Sequence, residues 1–508
     1  MGFGVSAATA SVLASAILVL AAGWATGAFL ALLSASTYEL WKNTLTFDRE
    51  ALEGLAASGV RWAVALLAAW TLLAVLAARR SGASLAHTLK PTAIAFTPLL
   101  ALFGYGAWTA LGGQITFASL FVFTVLVGLV AVLHVQILTT RRPWAEPSDR
   151  QSWALVAGAS LLFLLVFGAL DVLGYRSLFL GYHDTGIYAE ALWNTLQGEI
   201  LKSNRYEGFS CYLGDHLALG LLAFVPLYCL APNPQTLLLT QTTLLAAGAI
   251  PVYLLARNSL GSNGAGVAFV LAYLLFPAVG HANLNLIGGF TPDGLSILPL
   301  LWVFYLMTCA LDRGTGERIE RAGRKASLTW FFVCVFLALI STETAAIVVL
   351  MAGLYMSVWL RPRRVGLVVL ILGIGWFFMA TLVVIPYFSG RPYWHAPQFY
   401  GDMGESFAQL TLYAAAHPLD LLRRCLSHSQ LMFLLQLLVP LGLLLLLAPS
   451  ALLIAAPTLL ALLVAKDPSL HSILLHYRSS VIPVLFFAAI EGARRQAEGT
   501  SWIQRLLA

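Results

Sequence analysis

Apolar residues run along this chain in long blocks, with polar positions confined to short gaps between them. Blocks at 11–33, 58–78, 91–112, 117–138, 153–174, 236–257, 265–282, 293–311 and 363–387 carry few charges. They approach the roughly 20 residues that a helix needs to cross about 30 Å of hydrocarbon. Shorter blocks follow at 329–343, 345–360, 431–447, 450–465 and 477–493. One further block, 214–231, opens on Asp215-His216, holds Pro226 and ends at Pro232. A short run with an internal proline suits an interfacial or re-entrant element better than a crossing. Residues 5–33 are too long for a signal peptide and lack a basic start, so they read as a retained first span.

Lys and Arg gather at 79–90, 141–150, 257, 313–325, 361–364 and 494–505. If all these clusters face the cytoplasm, an even number of crossings must separate each from the next. That parity holds only if 214–231 does not cross. The predicted fold is therefore an all-α polytopic membrane protein with about fourteen transmembrane helices plus one interfacial or re-entrant element. The expected location is the plasma (inner) membrane, with both termini cytoplasmic.

Composition agrees. The chain has 508 residues, 59% hydrophobic and only 10% charged, against roughly a quarter charged in soluble proteins. Its mean hydropathy is +0.83. The net charge of +6 sits in loops between spans, where orientation requires it, so no nucleic-acid partner is expected. The five cysteines show no C-x-x-C spacing and no disulfide framework. No H-E-x-x-H, G-x-S-x-G or P-loop pattern is present, which argues against the common hydrolase and ATPase chemistries.

The same orientation collects the unusual polar residues on the outer face. "FLGYHDTGIYAEALWNTLQG" (179–198) brings His183, Asp184, Glu190, Asn194 and Gln197 into an apolar neighbourhood. Helical spacing sets Tyr188 beside Asp184 and puts Ile187, Leu192 and Leu196 on an oily flank. The stretch 184–197 thus reads as an amphipathic helix in the interface. Asp184 either caps that helix or serves chemistry, since a carboxylate at a lipid boundary is costly. Glu343 is a catalytic candidate by the same argument, or a solvated residue at a break made by Ser341 and Thr342. Asp293 is a metal ligand or the N-cap of the next span.

His216 and His476 are ligands or packed histidines. Asp184, Asp293 and Glu343 with His216 would suit Mg²⁺ or Mn²⁺. Arg391 and Arg478 can hold a phosphate or anchor the chain at the interface. Trp394 and Tyr400 can stack on a sugar ring or join an interfacial aromatic belt. His183, Tyr188, Trp193, Asn194 and Tyr477 complete the candidate substrate-binding set.

The order of motifs carries a resemblance. "DTGIYAEALWNTLQG", "GDHLALGLLAFVPLYCLAPNPQTLLLTQTTLLAAGAIPVYLLAR", "AYLLFPAVG", "FTPDGLSILPLL", "STETAAIVVLMAGLY", "YGDMGES" and "HYRSSVIPVLFFAAIEG" follow one another. Together they resemble the bacterial and archaeal membrane family called domain of unknown function 2079, which is grouped with the GT-C glycosyltransferases. The resemblance covers 153–495. It implies a GT-C-like core (151–495) with an outer-face active site and outer loops 175–235 and 388–430. A four-helix N-terminal extension (1–150) and a cytoplasmic tail (496–508) flank that core.

The resemblance further implies a polyprenyl-phosphate-linked sugar as donor. Asp184 matches the essential acid of the first outer loop, Asp293 a second acidic site, and Glu343 the acid of a Lys-Glu pair. Two positions depart from the family pattern. Phe290-Thr291-Pro292 stands where Phe-His-Pro is usual, and Thr342-Glu343 where Lys-Glu is usual.

The expected function is transfer of a sugar from the polyprenyl-phosphate donor to an envelope lipid, glycan or protein acceptor outside the membrane. Two alternatives are a transporter or flippase of a lipid or small solute, and a catalytically inactive scaffold. In the scaffold reading, residues 1–150 would dock a membrane partner. The grouping of charge at one face speaks against transport, whose sites usually lie near the bilayer midplane.

Overall fold

The computed structural model describes residues 146–177, 183–205, 208–285, 288–310 and 321–498. It also describes the helix Arg49–Ser81 with Gly82 and scattered positions at 12–27 and 84–89. The predicted spans 91–112 and 117–138, most of 11–33, much of the basic 313–325 loop and the tail from 499 onward lie outside the described residues. Within them the chain is helical, with one isolated antiparallel bridge between Lys202 and Cys211. The five cysteines are free.

The chain divides into two compact units, Met1–Ala145 with Leu438–Leu443, and Glu146–Leu437 with Leu444–Ala508. In the first, a Cβ on Gly23 or Gly27 would strike the backbone of Ala63 or Ser58. Small residues thus let two apolar helices touch. Trp70 is buried there and donates its indole N–H to Leu89 O at 3.3 Å.

Five helices among the described residues are long and apolar enough to cross a membrane: Ala56–Leu76, Asp149–Ser177, Pro234–Leu260, Pro292–Cys309 and Arg363–Ser389. A sixth results if Asn263–Leu274 and Pro277–Leu284 count as one span bent by 45°. The bend falls at Pro277, which has no N–H to continue the first helix. Asp149–Ser177 exposes Leu155, Leu162, Leu165 and Leu173, a lipid-facing surface. Pro234–Leu260 is mostly interior.

The remaining predicted spans appear as shorter pieces. Ser327–Ser341, Glu343–Trp359 and Ser429–Leu441 are apolar helices below spanning length, and 450–465 divides into Pro449–Leu452 and Ala456–Val464. The 214–231 run forms two 3-10 turns, Tyr212–Gly214 and Leu219–Phe224, and a six-residue helix, Val225–Leu230. Pro226 sits in the first turn of that helix, where its missing N–H costs nothing. The predicted loop 388–430 is largely helical, with His395–Tyr400, Phe407–Ala416 and Pro418–Cys425.

The tightest helix pair is Glu343–Trp359 against Arg363–Met379. A Cβ on Gly353 would meet the Leu370 backbone, one on Gly366 the Ser357 backbone, and one on Gly373 the Leu350 backbone. In lipid there is little hydrophobic drive between helices, so close backbone approach supplies the contact. Gly353→Val is expected to cost about 1–3 kcal/mol, as overpacking does. Gly375→Val, where nothing lies within 4 Å of the added carbon, should leave stability unchanged. Thermal unfolding of the two variants in detergent checks the difference.

Candidate functional site

The His183–Leu196 helix answers for most of the polar residues in its stretch. Its buried face carries Tyr188, Ala189, Ala191 and Leu192, while Trp193 is exposed. Asn194 donates to Lys202 O at 2.9 Å, and Glu190 accepts from Ser203 Oγ at 2.8 Å and Asn204 Nδ2 at 3.0 Å. Asn194 and Glu190 therefore fasten the following loop. His183 is the first residue of the helix.

Asp184 falls in the first turn of that helix and points elsewhere. Thr185 pins the turn to a distant strip of chain. Its N–H and hydroxyl donate to Gly288 O at 2.9 and 2.8 Å, and its hydroxyl accepts from Phe290 N at 2.8 Å. The Asp184 carboxylate lies so close to Gly288 that a Cβ there would overlap both it and Asn285 Nδ2. Glycine at 288 is what lets the carboxylate approach.

Asp293 lies in the first turn of Pro292–Leu295, with Thr291 at the N-cap position, so the capping alternative does not hold. Its Oδ1 accepts from Thr344 Oγ1 at 3.2 Å and its Oδ2 is 3.7 Å from His476 Nε2. Asn285 Nδ2 is 3.5 Å from His476 Nδ1. Asn285 and Asp293 thus share His476.

Glu343 opens its helix at 1% exposure, which removes the alternative of a solvated carboxylate at a break. Its Oε1 is 2.7 Å from His216 Nδ1 and its Oε2 accepts from Leu217 N at 3.1 Å. Burial disfavours an imidazolium, but the Glu343 and Asp215 carboxylates outweigh it and hold His216 at about 10. The cation that the resemblance leads one to expect at 342 is absent, and His216 brings positive charge to Glu343 instead. Thr342, 2% exposed, could not host a lysine without rearrangement.

Asp215 and His395 extend the cluster. His395 Nε2 is 3.2 Å from Asp215 Oδ1, and His216 Nε2 is 4.0 Å from the same oxygen. The two imidazoles stack at 4.5 Å with 13° between planes. Trp394 stacks on His395 at 4.0 Å and donates to Gly214 O at 3.3 Å. The Arg391 guanidinium lies 4.9 Å from the Trp394 ring centroid and 5.5 Å from that of Phe209.

Tyr400 donates to Ala461 O at 3.1 Å, a packing role. Tyr477 faces Phe399 at 6.1 Å. Arg478 is fully buried and donates to Ala278 O at 2.9 Å. That excludes the snorkelling alternative, which needs an exposed head.

Asp184, Asp293, Glu343, His216 and His476 thus stand among the polar contacts of one unit. The sequence reading does not single out Asp215 and His395 as candidates, although "GDH" and "YWHAP" hold them. An Asp-His dipeptide and a histidine flanked by aromatics were the available signals. Among the described residues, Asp215, His216 and His395 form a group whose ligand atoms all lie within 4.8 Å of one another. Of the four predicted ligands only His216 belongs to it.

Several helices long and apolar enough to span, with carboxylates and histidines paired in the second unit, define a polytopic membrane protein with a partly buried polar cluster. The family model described as predicted membrane protein (DUF2079) matches residues 174–508, and the chain belongs to that family. No curated protein and no solved structure matches the chain.

Replacing Glu343 with Gln keeps shape but removes the charge facing His216. We expect a loss of about 1–3 kcal/mol, whereas Glu405→Gln on the exposed surface should stay within about 0.5 kcal/mol. Denaturation midpoints of the two purified variants check this.

Proposed function

We propose that the chain is a membrane glycosyltransferase of GT-C type. It would move a sugar from a polyprenyl-phosphate-linked donor to an envelope lipid, glycan or protein acceptor on the outer face of the plasma (inner) membrane. The fuller topology of about fourteen spans with cytoplasmic termini belongs to this reading. So does a membrane partner for residues 1–150.

The observation that carries it is the approach of Asp184 to Gly288 and Asn285, beside the Asp293–His476 contact. Sugar transfer from a phosphate needs a carboxylate base for the acceptor hydroxyl and positive charge for the departing phosphate. Asp184 would take the hydroxyl proton. His216 and the Arg391 guanidinium would face the leaving phosphate, and Trp394 would present a ring to the sugar. Glu343 holds His216 in place. A divalent ion, when bound, would supply further charge to the phosphate.

One observation favours a transporter or flippase as the second reading. Asp171 lies fully buried within Asp149–Ser177, accepting from Thr242 Oγ1 and Asn283 Nδ2 at 2.8 Å each. A carboxylate inside a span commonly marks a transport path.

Mass spectrometry of envelope lipids and glycans separates the readings in wild type, a deletion strain, Asp184→Asn and Asp171→Asn. For a transferase, Asp184→Asn and the deletion lose one glycoconjugate and accumulate the same polyprenyl-phosphate sugar. The rate in the variant should fall by about 10²–10⁴-fold. If Asp184→Asn matches wild type and Asp171→Asn matches the deletion, the transport reading replaces it.

A further inference from the structure

We propose that Asp215, His216 and His395 bind a first-row transition-metal dication of the zinc class, with at least one coordination position left open. The donors are Asp215 Oδ1 and the Nε2 atoms of the two histidines. Oδ1 is 3.2 Å from His395 Nε2 and 4.0 Å from His216 Nε2. A tetrahedral ion bonded at about 2.1 Å keeps its donors about 3.4 Å apart, so closing the site takes shifts of about an ångström and a turn of the two stacked imidazoles out of parallel.

The independent sign is what holds the other nitrogen of each ring. His216 Nδ1 is 2.7 Å from Glu343 Oε1 and His395 Nδ1 is 3.1 Å from Gln398 Oε1. Metal-binding histidines almost always donate their second N–H to a carboxylate or carbonyl, which fixes the tautomer and aims the free nitrogen. Here both rings have such a partner, and Glu343 is itself fixed by Leu217 N. Trp394 and Phe399 also stack on His395, with ring centroids at 4.0 and 5.8 Å.

The ligand types choose the ion. Two imidazoles and one carboxylate suit zinc and its neighbours, whereas Mg²⁺ and Ca²⁺ prefer oxygen ligands throughout. Three protein ligands with an open position characterise catalytic sites, while structural zinc sites are closed by four. Without the ion, His395 Nε2–H donates to Asp215 O at 3.1 Å and His216 carries a proton on Nε2 as well, so binding displaces the Nε2 proton of both rings. Naming the ion for the leaving phosphate deepens the transferase reading and rests on it to that extent. Metal content, however, is measured without any transfer assay, so the two fail separately.

The test uses the full-length protein purified in detergent, stripped with a chelator and dialysed against Zn²⁺, Co²⁺ or Mg²⁺. Elemental analysis gives the metal per chain, and visible absorption reports the Co²⁺ environment. Wild type should retain one Zn²⁺ or Co²⁺ per chain and no Mg²⁺. His395→Ala and Asp215→Asn should each retain less than a tenth of that. Glu343→Gln should weaken affinity about 10–100-fold, the usual effect of losing a partner behind a ligand. His417→Ala, a histidine outside the group, should bind as wild type does.

Size-exclusion profile and helical circular dichroism identify any variant that has misfolded. Folded wild type that takes up no Zn²⁺ or Co²⁺ overturns the proposal on its own. His216 would then be an imidazolium paired with Glu343 and Asp215. Wild-type affinity in both His395→Ala and Asp215→Asn would equally overturn it.

Discussion

A carboxylate at 1% exposure cannot stay ionised without partners, because moving it out of water costs several kcal/mol. Glu343 is that carboxylate, and much of the site follows from satisfying it. His216 and the Leu217 amide must come to it, so the segment 212–218 has to lie at the start of the Glu343–Trp359 helix. A Cβ on Gly220 would then come within 3.2 Å of Ile340 O and 3.5 Å of Ser341 Cα. The run from 214 to 231 is broken into short turns by this requirement as well as by its prolines. Once His216 is fixed, Asp215 faces His395, and Trp394 closes on Gly214.

A second set of contacts does the same for the other carboxylates. Thr185 bridges the start of one helix to Gly288 and Phe290, which brings Asp184 against Asn285. Asn285 reaches His476, and His476 reaches Asp293. Asp293 in turn accepts from Thr344, one residue beyond Glu343. The two sets therefore meet at the helix start 343–344. No single element contains the site, and each carboxylate depends on a partner far away in sequence.

That dependence decides what the chain revealed before folding. Periodicity and run length, which are local signals, exposed the helices, while the parity of the basic clusters along the whole chain, with run length and proline, picked 214–231 as the run that does not span. Asp184, Asp293 and Glu343 stood out because a charge in an apolar setting is conspicuous one residue at a time. Asp215 and His395 did not, since their meaning lies in a 3.2 Å approach across the fold. Asn194 reads as a substrate contact and Glu190 only as an unusual polar residue, yet both bond to the following loop, which only their hydrogen-bond partners show. Arg478 reads as a phosphate holder or an interface anchor and is fully buried, because the pattern around it cannot show what packs over it.

The interior of the helical unit continues the polar chain inward. Gln241 donates to Ala282 O and Asn283 O and accepts from Thr291 N. Asn283 and Thr242, next to Gln241, both donate to Asp171. In hydrocarbon an unmet peptide group costs several kcal/mol, so the end of the Pro277–Leu284 helix and the turn before Pro292 need such side chains to hold their open backbone. Thr291 stands where the family resemblance leads one to expect histidine, and its amide is met by Gln241 from the neighbouring helix. Through Gln241 and Asn283 the strip bearing Gly288 and Asp293 is tied to the span that bears Asp171.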